Sequence, residues 1–105
     1  MMSESDLILD IAMNLTRIGD WVLEDYPMKV NSIRIFLKQT SEYISKLDKN
    51  SKKFQRFKDT FIRFSREYPL MESAILLTTK GNPIIAERLM TWGNILTAEA
   101  SLIKE

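Results

Sequence analysis

The stretch FQRFKDTFIRFSREY, residues 54–68, places aromatic rings at Phe54, Phe57, Phe61, Phe64 and Tyr68. Spacings of three and four put all five on one side of a helix, whereas a strand would split them between two faces. The segment therefore reads as an amphipathic helix with an aromatic seam. The same register continues through Met71, Ile75 and Thr78, across Pro69. Proline inside a helix loses one hydrogen bond and clashes with the preceding turn, costing about 3 kcal/mol. An unbroken helix from Ser51 to Lys80 would also be about 45 Å long at 1.5 Å per residue and overhang its neighbours. The expectation is a helix from Ser51, its cap, to about Glu67, and a short helix starting at Pro69.

The rest of the chain carries the same period. Before the seam, Ser5 is the expected N-cap of a first helix reaching about Glu24, with Ile8, Ile11, Leu15, Ile18 and Val22 as its core stripe. A second helix is expected from about Pro27 to Asp48, with Val30, Ile33, Leu37, Thr40, Ile44 and Leu47 facing inward. After the seam, Lys80-Gly81-Asn82-Pro83 is a boundary: Gly81 suits a helix C′ position, Asn82 an N-cap and Pro83 a first turn. A last helix then runs to about Lys104, with Ile85, Leu89, Trp92, Leu96 and Ile103 on one face. Asp25-Tyr26-Pro27-Met28 and Glu67-Tyr68-Pro69-Leu70 echo one another, and read as two independent Tyr-Pro turns rather than as a duplication. The fold class expected is all-α, an antiparallel bundle of four long helices plus a short helix after Pro69, in one domain over residues 1–105.

Composition removes most chemistry. Hydrophobic residues make up 45% and charged residues 28%, which is globular composition. With no cysteine and no histidine, the chain lacks a thiolate ligand, the commonest general base and the commonest zinc ligand. The acidic pairs Asp6/Asp10 and Asp20/Glu24 lie one turn apart and read as a solvated face, since a bundle di-metal site needs a Glu-x-x-His pair. No glycine-rich phosphate loop or nucleophile elbow occurs. No catalytic residue, cofactor or metal is expected. The acidic start and the absence of a long apolar run give the expectation of a cytoplasmic chain with no signal peptide and no membrane association.

Charge is segregated along the chain although the net is only +1. Residues 46–66 hold eight basic residues against Asp48 and Asp59, whereas residues 1–25 hold six acidic residues against Arg17. Within the basic stretch Lys52, Arg56, Arg63 and Arg66 fall on the side of the helix away from the aromatic seam. Rings packed in a core cannot stack on bases, so a nucleic-acid regulator using this basic face is the alternative function and not the first. The acidic first helix and basic third helix are expected to complement each other within one bundle or across a dimer.

Terminal helices carry more apolar surface than one stripe needs. Leu9, Met13 and Leu23 lie off the first seam; Ile84, Ile95, Ala98 and Leu102 form a second line on the last helix. Packing of that line on the short helix carrying Leu70, Ile75, Leu76 and Leu77 is the competing account. Gly93 marks a place where another backbone approaches. The expected function is a non-enzymatic protein-interaction bundle, self-associating as a homodimer through Leu9, Met13, Ile84, Ile95 and Leu102.

Overall fold

At three helix starts a side chain satisfies free amides of the first turn. The computed structural model describes residues 3–77 and 82–103. Among these residues stand four helices: α1 (Glu4–Glu24), α2 (Tyr26–Ser45), α3 (Lys52–Leu76) and α4 (Pro83–Ile103). Ser51 Oγ accepts from Phe54 N at 3.0 Å, and Asn82 Oδ1 accepts from the amides of Ile84 and Ile85 at 3.1 and 3.2 Å, as the sequence predicts. For α1 the cap is Ser3, not Ser5: Ser3 Oγ accepts from Asp6 N at 3.1 Å, and Ser5 is buried inside the first turn. The second helix ends at Ser45, a turn earlier than expected. There the polar run takes over, with Asp48 Oδ1 accepting from Asn50 N and Glu4 accepting from Asp48 N. Gly81 and Lys104 lie outside the described residues.

The break expected at Pro69 does not occur. α3 is one helix of 25 residues with Pro69 inside it, so there is no separate short helix. Two observations explain this. Pro69 and Ser65, whose carbonyl loses its donor, are both exposed, so that carbonyl sits at a solvated edge and not in the core. Beyond the proline, Met71 and Ile75 are buried, each worth about 1.5–3 kcal/mol, which offsets a cost of about 3 kcal/mol. Length is no obstacle either: 25 residues span about 37 Å, and the molecule is 41 Å along its longest axis.

The helices form an antiparallel bundle in which α1 packs most closely on α4, then on α2, while α3 lies against α4. One apolar cluster runs through all four, including every residue of the α1 stripe and all five rings of the α3 seam. Phe54, Phe57 and Phe61 meet edge-on or tilted at 5.1–5.8 Å, and Phe64 packs on Trp92 at 5.4 Å.

Contact between α1 and α4 is made through small residues. A Cβ on Gly93 would lie 2.5 Å from Thr16 Oγ1 and 3.2 Å from the Ala12 carbonyl, and one on Gly19 would lie 3.1 Å from the Ala86 carbonyl. Ala12 therefore faces Gly93, and Gly19 faces Ala86. Seven residues further out on each helix stand Ser5 and Ala100, both buried. The backbone that Gly93 admits belongs to the same chain.

α2 and α3 are joined differently. Tyr26 Oη donates to the Ile75 carbonyl at 2.8 Å, and Tyr68 Oη donates to the Leu37 carbonyl at 2.9 Å. The two Tyr-Pro pairs thus act reciprocally, each helix sending one phenol to the other. They are not two turns, for Pro27 sits at a helix start and Pro69 within a helix. Burial pushes the Tyr68 phenol up to about 12. Between α1 and α2, Asn14 Nδ2 donates to Gln39 Oε1 and to Thr40 Oγ1 at 3.1 and 3.2 Å.

The α1–α4 contact gives a direct test. Gly93→Ala gains up to about 1 kcal/mol of helix propensity. The methyl must nevertheless displace Thr16, and overpacking of this kind costs about 1–3 kcal/mol. Thermal melts should show net destabilisation, partly recovered in Gly93→Ala with Thr16→Ala. A variant melting at or above wild type would mean the helices have room to spare.

Candidate interaction surfaces

The residues singled out from sequence regroup on the folded chain. α3 and α4 run antiparallel, as Thr60 Oγ1 donates to Glu99 at 2.8 Å and Trp92 Nε1 donates to Glu67 at 2.7 Å. Arg63 lies over the Trp92 ring, 5.8 Å from its centre, with Ile95 one helical turn further along α4. Seven residues away on each helix, Arg56 and Leu102 continue the row. In the other direction Leu70 and Arg88 line the same cleft as Arg63, Arg66, Glu67 and Trp92, about 340 Å³ in volume. The basic face (Lys52, Arg56, Arg63, Arg66) and the apolar residues Ile95 and Leu102 therefore belong to one α3/α4 surface, where arginines alternate with aliphatic side chains.

Exposure separates the expected interface residues into two kinds. Leu9 and Ile95 are half-buried and pack against the core. Met13 (60%), Ile84 (74%) and Leu102 (71%) remain exposed. The competing account, in which the α4 line packs on Leu70, Ile75, Leu76 and Leu77, does not hold for Ile84 and Leu102, which stay exposed: Ile75 is buried in the core, but Leu70, Leu76 and Leu77 are exposed too. Lys52, Arg56, Arg63 and Arg66 are all exposed.

Leu9 and Met13 lie elsewhere, on the outer side of α1. Met13 lines a cleft of about 270 Å³ with Ala12, Thr16, Arg17, Asp20 and Thr97, above the small-residue seam between α1 and α4. Leu23 is exposed on the same helix, as are Asp6, Asp20 and Glu24. Arg17, the one basic residue there, leans onto the Phe36 ring of α2 at 5.7 Å. This surface is acidic and apolar.

Complementation of α1 and α3 inside the bundle is not what the described residues show. The ion pair present among them joins Arg88 to Glu67, between α4 and α3. Glu67 was not read from the sequence as a bonding centre: it accepts from Arg88 Nε at 2.8 Å, from Arg88 Nη2 and from the Trp92 indole. Hydrogen bonding to Arg88 holds its carboxyl below the ordinary glutamate value, opposed by burial and assisted by Trp92 and the Arg63 charge. Its place opposite Arg88 and Trp92 depends on the antiparallel α3–α4 register, which no local pattern around Glu67 reveals.

Compared with known proteins, the chain matches no family model, no curated protein and no solved structure. Among the described residues no helix is long and apolar enough to cross a membrane.

The Glu67 arrangement predicts a pH dependence. A carboxyl whose folded pKa is depressed adds stability above its unfolded pKa and loses it as pH falls through the folded value. Denaturant midpoints measured downward from neutral pH should therefore fall more steeply in wild type than in Glu67→Gln across the acidic range below the ordinary glutamate pKa. Parallel curves would show that the Arg88 contact contributes nothing to stability.

Proposed function

We propose that this chain is a non-enzymatic helical module that works in the cytoplasm by binding protein, and that its first partner is itself. The observation that carries this is the aliphatic surface left uncovered by the chain's own helices: Met13, Ile84, Leu70 and Leu102 are each 60% exposed or more. Isolated apolar residues on a surface are ordinary, but Met13 and Leu70 each line a cleft, and Ile84 and Leu102 share one face of α4. The lack of histidine and cysteine supports a binding role over catalysis.

A nucleic-acid role is the second reading, favoured by the exposure of Lys52, Arg56, Arg63 and Arg66. Against it, the rings of the seam are packed in the core and offer no face to a base. No measurable affinity for generic RNA or DNA is expected near physiological salt. Submicromolar binding abolished by reversing the four charges in a folded variant would invert the ranking.

Sedimentation equilibrium tests the first reading. The wild-type chain of 12.3 kDa should give a mass that rises with concentration in the micromolar range. A two-fold dimer, about twice the chain mass, is the smallest closed product. Leu102→Glu places a charge on an exposed position and should reduce association while leaving the melt unchanged. Ile95→Glu is the poorer probe because Ile95 packs against the core. A wild-type mass that stays at one chain at high micromolar concentration would refute self-association.

A further inference from the structure

The two surfaces described above differ in charge and agree in character. On α1 the outer side presents Met13 and Leu23 with Asp6, Asp20 and Glu24, and a single arginine, Arg17, which lines the Met13 cleft and stacks toward the Phe36 ring of α2. On α3/α4 the outer side presents Leu70 and Leu102 with Arg56, Arg63 and Arg66, while Arg88 is held by Glu67. Each carries exposed aliphatic side chains edged by charge mainly of one sign, with Arg17 the exception on α1 and Asp59 the exception on α3. Among the described residues no salt bridge joins the acidic residues of α1 to the basic residues of α3.

From this complementarity we infer that a second copy of the chain docks head-to-tail, the acidic outer side of α1 in one copy lying along the arginine-lined α3/α4 surface of the next. The inference rests on the self-association proposed above and specifies its contact. Lengths agree: α1 has 21 residues, about 31 Å, and lies beside helices of 25 and 21 residues. Like surfaces would not serve as well, because pairing two α3/α4 surfaces sets arginines against arginines and pairing two α1 surfaces sets carboxylates against carboxylates. Because the two halves of the contact are different surfaces of the same chain, it is heterologous. It closes as a ring or extends as a chain, and is not confined to a pair.

Mixing two complementary variants tests this. One chain carries Arg63→Glu and Arg66→Glu, which spoils the basic half and leaves α1 intact. The other carries Asp20→Lys and Glu24→Lys, which spoils the acidic half and leaves α3/α4 intact. Circular dichroism melts check that both are folded, and the milder pairs Arg63→Gln/Arg66→Gln and Asp20→Asn/Glu24→Gln neutralise each half with less perturbation. Wild type should assemble with a mass that falls as salt is raised. Each reversed chain alone should stay monomeric, and an equimolar mixture of the reversed chains should assemble again, because the intact surfaces pair and the two reversed surfaces complement one another. A mixture of the neutralised chains keeps only the intact contact and should stop at a one-to-one pair. If wild type assembles and either folded charge-reversed chain assembles equally well alone, self-association stands and the head-to-tail contact is wrong. If wild type itself remains monomeric, both the self-association reading and this contact fall.

Discussion

The rest of the structure depends on how closely α1 and α4 approach. Helices ordinarily pack with axes about 8–10 Å apart because side chains separate them. Here Gly19 and Gly93 leave no side chain at two successive contacts, and Ala12, Ala86, Ser5 and Ala100 keep the remainder narrow. A pair so close cannot rotate about its own axes without driving a larger side chain into the seam. That fixes which residues turn inward: Ile8, Leu15 and Val22 on α1, and Leu89, Leu96 and Ile103 on α4, are all essentially inaccessible. It also fixes which turn outward. Ile84 and Ala98 lie about 180° and about 140° around α4 from Gly93, counting about 100° per residue, and Ile84 is left to solvent.

The opposite edge of the bundle follows a different logic. α2 and α3 lack such a seam, and two phenols span the distance instead, each ending on a main-chain carbonyl of the other helix. A neutral hydrogen bond of this kind contributes roughly 0.5–1.5 kcal/mol net, less than close packing but with a fixed length and direction. The looser edge is also where Pro69 is tolerated. A cleft of about 200 Å³ lined by Ser41, Ser65, Tyr68, Pro69 and Glu72 opens there, giving water access to the segment where the helical hydrogen bond is missing. The same proline placed against α4 would bury an unpaired carbonyl.

How much of this was legible depended on whether a signal is local. Helical period, the caps at Ser51 and Asn82, and the burial of the phenylalanine seam are set by neighbours within a few residues, and each could be read from the chain. Ser5 against Ser3 was a contest between two equal caps, decided by the seam, which claims Ser5 for the interior. The outcome at Pro69 was a balance of non-local terms: exposure of one carbonyl against burial of Met71 and Ile75. The regrouping of Arg56 and Arg63 with Ile95 and Leu102 needed the α3–α4 register, which sequence spacing within either helix does not contain. The small-residue seam was the one non-local feature with a readable mark, since Ser5, Ala12 and Gly19 are spaced by seven, as are Ala86, Gly93 and Ala100.

Charge segregation is the last consequence of the same arrangement. With α1 held to α4 on one side and α3 on another, the acidic and basic residues face away from each other across a body 24 by 19 Å in section. At physiological ionic strength the screening length is about 8 Å, so the two sets interact weakly through the molecule. The separation therefore costs or gains little within one chain. Between chains the distances shrink to contact, where opposite charges do interact and like charges repel. A net charge of +1 thus conceals a directional molecule, one whose own fold scarcely uses the electrostatics that would orient a neighbour.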